Sequence, residues 1–318
     1  MASWKSYLQA LAYIALLFFL IPIKIDGPDE FDGQFQEYLK HFNKTYNDSV
    51  IYQDRLQAFK QSLETIKKLN LNKSNDSAHY GLTKYSDMLP EEFLHNHLQL
   101  NLSQRLFKYT KSHHKRSISN LPQKLDWRQK GVVTKIRNQG NCGACWAHSA
   151  VETIESMHAI KTGKLEEFSV QEIIDCAGYD NDGCNGGDTC TLLSWMKDTN
   201  FTLHHVSEYT KGHCKINSSN GVQIEDFVCE RYLSKKLVGS ENVILELLVL
   251  NGPLAVAINA QTWQNYIGGV IEYHCDGDPS KLNHAVQIVG YDLTANIPYY
   301  IVRNTWGEDF GDQGYLYI

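Results

Sequence analysis

The chain has 318 residues, 42% hydrophobic and 21% charged, an ordinary globular composition with room for two domains or one domain and a long pro-segment. Lys and Arg number 15 against 12 Asp and Glu over residues 1–120, and 15 against 24 over residues 121–318. No basic stripe is present, which excludes nucleic acid as a partner.

Lys5 precedes an apolar run from Leu8 to Ile23, interrupted by Gln9 and Pro22 and followed by the polar stretch Asp26 to Glu30. The run is shorter than the about 20 apolar residues a membrane helix needs, so residues 1–25 read as a signal peptide and no stable membrane span is expected. Seven Asn-x-Ser/Thr sequons fit a secretory route, at Asn43, Asn47, Asn72, Asn75, Asn101, Asn200 and Asn217. All eight cysteines fall between 142 and 275, where an oxidising lumen permits disulfides. With the charge step, their absence from residues 1–120 marks a compositional boundary.

Residues 31–71 read as helical, because Phe31, Phe35, Tyr38 and Phe42, then Leu56, Phe59, Leu63, Ile66 and Leu69, recur at spacings of three and four. Asn72 to Ser77 is a polar break and Tyr80 to Tyr85 is strand-like. Leu89 to Phe93 starts a helix with Pro90 near its first turn. Ser112 to Ser117 is basic and unpatterned, as suits a linker open to proteolysis.

Beyond Leu121 a long helical pattern runs from Cys145 to Lys161 and ends at Gly163. A short helix is predicted over Ser169 to Cys176, with Ser169 as N-cap and Glu172 at the capping-box position. Gly183 to Gly187 is a tight turn, and Thr189 to Lys197 a third helix. Past residue 235 the patterns are strand-like: Leu254 to Ile258, Ala285 to Tyr291 and Tyr299 to Arg303. A helical half followed by a β half predicts an α+β protein with two lobes.

The chemistry concentrates in Gln139-Gly140-Asn141-Cys142-Gly143-Ala144-Cys145-Trp146. A cysteine that opens a helix has its thiolate stabilised by unpaired N–H groups and the helix dipole. Such a thiolate attacks a carbonyl directly but needs an adjacent base to stay ionised. Asn283-His284-Ala285-Val286 supplies a histidine 139 residues on, and Arg303-Asn304-Thr305-Trp306-Gly307 supplies an Asn to orient it. With Asp126-Trp127-Arg128, Gly183-Cys184-Asn185-Gly186-Gly187 and Gly314-Tyr315, the chain closely resembles the papain-like cysteine proteases over residues 31–318.

The resemblance implies a papain-like two-lobe fold, a helical lobe and a β-barrel-like lobe, preceded by a helical inhibitory pro-domain. It makes Cys145 the nucleophile, His284 the acid/base and Asn304 its orienter. Gln139 and the backbone N–H of Cys145 become the oxyanion hole. Gly186, Gly187, Asp188, Asn283 and Trp306 become substrate-binding residues, and no metal or organic cofactor is required. Asp188 and Thr189, where relatives favour apolar side chains, imply weaker selection for bulky aliphatic residues and tolerance of a basic one. Family positions pair Cys142 with Cys184 and Cys176 with Cys214. Cys190 and Cys229 have no counterparts and are candidates to bridge one another.

Residues 26–120 match the inhibitory propeptide, through Arg55, Phe59, Ile66 and Asn70 and through Gly81-x-Thr83-x-Tyr85-x-Asp87. Residues 121–318 form the catalytic domain. Relatives run about twenty residues past Ile318, so a C-terminally truncated domain is expected, with Cys275 lacking its family partner. The implied partners are polypeptide substrates, the chain's own propeptide and cystatin-like inhibitors, for a monomer of the lysosome or extracellular space.

Rival readings are weaker. A thioredoxin-type dithiol at Cys142 and Cys145 belongs early in a βαβ domain without a downstream His and Asn. Zinc wants a second CxxC or CxxH pair. His204-His205 matches the paired histidines of dipeptidase-type relatives only in composition, since no inserted loop surrounds it. His148 reads as a satisfied core histidine. An inactive homologue acting as a binding protein conflicts with intact catalytic positions.

Overall fold

The computed structural model describes residues 31–71, 76–101, 120–212, 214, 221–229, 240–272 and 278–318. The expected signal peptide, the linker at 112–117, the sequons Asn72, Asn75 and Asn217, and Cys275 lie outside these residues. Two compact units divide after Tyr52. The compositional step near residue 120 therefore does not separate compact units, because residues 53–101 belong with the C-terminal part.

The first unit contains α1 (Asp32–His41) and the start of α2 (Ser49–Leu69). The single helical stretch expected over 31–71 is broken at Phe42 to Asp48. There Asn43 takes a left-handed φ of 52° and Asp48 Oδ1 accepts from the amides of Val50 and Ile51 at 2.8 and 3.1 Å, starting α2 afresh. Phe35 packs edge-on to Tyr52 at 5.2 Å, and the Tyr52 hydroxyl donates to Asp32 Oδ1 at 2.6 Å.

In the second unit, Arg55 of α2 forms a two-pronged pair with Glu92 at 2.6 and 2.9 Å and donates to the Asp87 carbonyl at 3.1 Å. Glu92 lies on α3 (Pro90–His97), whose first turn is acidic and whose N1 position is Pro90. The strand expected over Tyr80 to Tyr85 shrinks to β1 (His79–Tyr80), which pairs with β4 (Tyr266–Gly268); Lys84 to Asp87 form turns, closed by Ser86 N on the Thr83 carbonyl at 3.0 Å.

The helical core surrounds α4 (Cys145–Thr162), with α5 (Val170–Cys176) and α6 (Thr189–Asp198). Trp146, Ala147, Val151, Phe168, Ile173, Leu192 and Phe201 are among its fully buried members. Gly163 ends α4 in the left-handed conformation, φ 73°, and Ser169 caps α5 by accepting from Glu172 N at 3.1 Å. Glu172 does not complete the capping box. Its carboxylate turns instead to His204, Oε2 accepting from the backbone N and Oε1 lying 2.7 Å from Nδ1.

The β core is organised by β5 (His284–Asp292), whose first eight residues are all buried. One edge of β5 pairs with β6 (Tyr299–Arg303), which pairs with β7 (Tyr315–Tyr317). The other edge pairs with β3 (Leu254–Ile258) over residues 284–288 and β2 (Lys124–Asp126) over 290–292. All these pairings are antiparallel. Gly290 has no side chain because a Cβ there would overlap the Leu125 carbonyl of β2. The sequence pattern gave no sign of α7 (Ser240–Asn251): its Val243 to Leu250 run, broken by Glu246 alone, lacks a clear polar face. The fold is therefore α+β as expected, helices and an antiparallel sheet each holding a core.

Candidate active site

Three elements deliver the expected catalytic residues to one place. Cys145 opens α4, and its buried thiol lies against the backbone N–H groups of Trp146 and Ala285. Ala285, whose N–H reaches the thiol, follows His284 at the head of β5, so the strand start meets the helix start at Cys145. His284 Nε2 lies 2.8 Å from Asn304 Oδ1, just past the end of β6. That contact leaves Nδ1, which has no hydrogen-bond partner among the described residues, as the nitrogen available to the thiol. Trp306 stacks on the imidazole at 4.9 Å and 30°, and Trp263 stands edge-on at 6.0 Å. His284, Asn304 and Trp306 are all 0% exposed, so water cannot compete for the bond.

Both reacting groups are uncharged in this state. Burial pushes the Cys145 thiol up to about 11, although the N–H groups of Ala285, Trp146, Gln99 and Cys145 itself pull the other way. Burial also pushes His284 down to about 4, against the Asn304 hydrogen bond and assisted by nearby His97.

The cover is residues 97–101. Leu100 N donates to the Asn283 carbonyl at 3.1 Å and Asn101 N to the Gly187 carbonyl at 3.0 Å, and Leu100 forms a parallel bridge with Gly187. Gln99 crosses Gly143 so closely that a Cβ there would overlap its side chain, and its backbone N–H reaches the Cys145 sulfur. Gly186, at φ 112°, faces the Gln99 carbonyl, and a Cβ on Gly187 would meet the Trp146 ring at 2.6 Å. These glycines let an extended chain lie on the cleft floor. Sequence reasoning named none of 97–100; only the sequon singled out Asn101, whose Nδ2 here donates to the Asn185 carbonyl at 3.1 Å.

Gln139 Nε2 donates to the Cys142 carbonyl at 2.8 Å and to the His97 carbonyl at 3.2 Å, while Oε1 accepts from Thr305 at 2.6 Å. Its amide donor is thus shared between the Cys142 carbonyl and the carbonyl of His97. Asp188 departs from expectation. It is 2% exposed, and Oδ1 accepts from Cys190 N and Thr191 N at 2.7 and 3.1 Å, so its carboxylate is committed to the start of α6 and not offered to a basic substrate side chain. Leu100 is buried as a member of the apolar cluster of the helical core that also holds Ala144 and Ala285.

Cys142 is bonded to Cys184, Cys176 to Cys214 and Cys190 to Cys229, with Cα separations of 4.6, 5.6 and 6.0 Å. Among the described residues Cys145 alone is a free cysteine. His204 is buried against Glu172 and His205 packs on Phe168 at 4.9 Å, so this histidine pair serves the helical core. His148 is buried with Nδ1 unpartnered among the described residues, and burial pushes it down to about 3.

Residues 121–318 match the papain family cysteine protease pattern, and residues 35–93 the cathepsin propeptide inhibitor domain (I29). Human cathepsin O is 40% identical over 269 residues, covering 82% of this chain and 81% of that protein, and mouse cathepsin O is 37% identical over 276 residues, covering 84% and 85%. Among solved structures, recombinant stem bromelain precursor aligns with a TM-score of 0.75 at 30% identity over 91% of this chain and 92% of that one. Digestive procathepsin L 3 of Tenebrio molitor aligns at 0.74 and 28% identity over 91% and 93%.

Proposed function

The chain belongs to the papain family of cysteine proteases, and from that premise we propose that it is an endopeptidase made as a self-inhibited zymogen. Residues 1–25 are its signal peptide, 26–120 its inhibitory propeptide and 121–318 its catalytic domain. It acts as a monomer in the lysosome or extracellular space and is open to cystatin-like inhibitors. The observation that carries this reading is the buried Cys145, His284 and Asn304 set lying directly beneath residues 97–101.

Once that segment leaves, water re-enters the cleft and the cost of charge falls. The thiol proton then passes to His284 Nδ1, giving thiolate and imidazolium. The thiolate attacks the peptide carbonyl, and its oxygen becomes an oxyanion held by Gln139 Nε2 and the Cys145 N–H. Each such donor contributes about 3 kcal/mol to the transition state. Imidazolium protonates the departing amine and the C–N bond breaks, leaving a thioester on Cys145. His284 next takes a proton from water, the hydroxide attacks, and the acid product leaves. Asn304 holds the imidazole in line throughout, and Trp306 keeps water from that bond. His204 is held by Glu172 and His205 by Phe168, so this histidine pair is not available to cap the cleft as it would in a dipeptidase-type relative.

The test is to incubate the secreted precursor at acid pH with a thiol-reactive peptide epoxide and map the label. Labelling at Cys145 alone, lost in His284→Ala, is expected. Equal labelling of Cys142 and Cys145 would instead indicate a reducible dithiol and overturn the reading.

A further inference from the structure

The catalytic residues sit at one end of three neighbouring elements: Cys145 opens α4, His284 opens β5, and Asn304 follows β6. About two to three turns along α4, and one to three residues from His284 and Asn304 on the strands, the same elements contribute a second polar set. Glu152 and Glu155 of α4, Gln287 of β5 and Arg303 of β6 are each 0% exposed. Arg303 donates to Gln287 Oε1 at 3.2 Å, to Thr134 Oγ1 at 3.0 Å and to the Lys135 carbonyl, and its guanidinium lies 3.5 Å from Glu152 Oε1. Gln287 Nε2 in turn donates to Ser156 Oγ on α4 at 3.2 Å.

The two carboxylates of this layer are held differently. Glu155 is saturated: it accepts from Thr134 Oγ1 at 2.7 Å, from both Nη atoms of Arg137 at 2.9 and 2.6 Å, and from Phe168 N at 2.7 Å. Glu152 accepts no hydrogen bond at either oxygen among the described residues, and Arg303 Nε likewise has no partner. The attraction between Glu152 and Arg303 is therefore mainly Coulombic, across the joint between the nucleophile's helix and the orienter's strand. A buried pair of this kind adds little stability over apolar residues of equal volume, since desolvation offsets the attraction. Its distinctive property is that it fixes a distance.

Resting on the cysteine-protease reading, we propose that Glu152 and Arg303 are positioning residues for the thiolate–imidazolium pair, their attraction setting the spacing of α4 from β5 and β6. Arg303 directly precedes Asn304, and Glu152 lies two turns from Cys145 on one rigid helix, so a change at the pair is transmitted to both sides of His284. The other charged or titratable groups facing the pair are Arg137 from the preceding loop, Glu155 and His148 from α4 itself, and Tyr315 of β7, which pairs with Arg303 across the sheet. Burial pushes the Glu152 carboxyl up to about 7, against the pull of Arg303 and Arg137.

The test uses the full chain after acid activation and compares Glu152→Gln, Arg303→Met, Arg303→Lys and the double variant Glu152→Leu/Arg303→Met. Two rates are read at pH 5: kcat on a peptide substrate, and the reaction of Cys145 with an uncharged pyridyl disulfide, which reports the thiolate–imidazolium pair. Misplacement of reacting groups by about 1 Å costs up to about a hundredfold. We expect both rates to fall together by about tenfold or more in Glu152→Gln and Arg303→Met with KM little changed. Arg303→Lys should recover part of the loss, and the double variant should be no worse than either single one. If the single variants fail to fold, the apolar double variant carries the same readout. A lowered melting temperature with both rates at the wild-type value would overturn the proposal and leave the protease reading intact. A wild-type Cys145 unreactive at pH 5 would remove the protease reading, and the proposal with it.

Discussion

Acidification should loosen the pro-segment through His97. This side chain is 1% exposed, packed by the rings of Tyr85 at 4.7 Å, Phe93 at 5.3 Å and Trp306 at 6.3 Å, and neither ring nitrogen meets a well-formed hydrogen bond among the described residues. Burial pushes its pKa down to about 4 from 6.5; Lys84 adds to that, while the backbone at Gly140 and Glu92 pull the other way. A depressed basic pKa favours docking with the neutral ring, so this contribution is whole above pH 6.5 and is lost as pH falls from 6.5 towards 4. At pH 5 the loss is about 2 kcal/mol, or about thirtyfold in the docking equilibrium, and at most about 3 kcal/mol in stronger acid. His284, also held down to about 4, adds a second linked proton. The assay is hydrogen exchange at the Leu100 and Asn101 amides, which donate to the cleft, in full-length Cys145→Ala, corrected for intrinsic rates. Protection should fall by about thirtyfold or more between pH 7 and pH 5, and His97→Phe should remove one proton's worth of that dependence. Undiminished pH dependence in His97→Phe would refute the reasoning.

Cys145→Ser and His284→Ala should each abolish nearly all peptide hydrolysis, whereas Asn304→Ala should keep a measurable fraction, because it only orients the base; steady-state kinetics of the activated variants decide this. Gln139→Ala should lower kcat by about a hundredfold or more and also speed exchange at Leu100, since the same amide holds the His97 carbonyl in the zymogen. Mass spectrometry after non-reducing digestion should find Cys190 joined to Cys229. A peptide library should show no enrichment for basic residues at the pocket beside Gly187, because Asp188 is spent on the helix end; strong enrichment would contradict that geometry.

The signals that were legible in the sequence are those set by local chemistry. The Cys145 helix, its Gly163 stop and the Ser169 cap follow from rules acting within a few residues, and their ends agree with the structure to one or two positions. The clustering of Cys145, His284 and Asn304 was legible only by resemblance, since nothing local ties residues 139 positions apart. What stayed hidden depends on tertiary surroundings. Glu172 satisfies a capping pattern yet its carboxylate finds His204, and Asp188 lies next to the cleft yet points into a helix. His97 and Gln99 carry no motif at all; their roles come from the surface they are laid upon. Between Val243 and Leu250, α7 carries one polar residue, Glu246, and so nearly continuous an apolar run gives much the same signal whether it coils or extends.

The strand β5 also constrains when the molecule can become itself during synthesis. Its far end pairs with a segment made long before it: Asp126 pairs with Gly290, and the Tyr291 hydroxyl reaches the Pro122 carbonyl across 169 positions. Its other edge needs β6, which emerges from the ribosome later still. Contacts of such long sequence separation form slowly, because loop closure precedes any reward. The helix bearing Cys145 and the disulfides around it can form while the base is not yet made. On the proposed roles, a nascent chain between Cys145 and His284 therefore carries a nucleophile without its base, and assembly of the base and its orienter is deferred until the pro-segment has long been available to cover them.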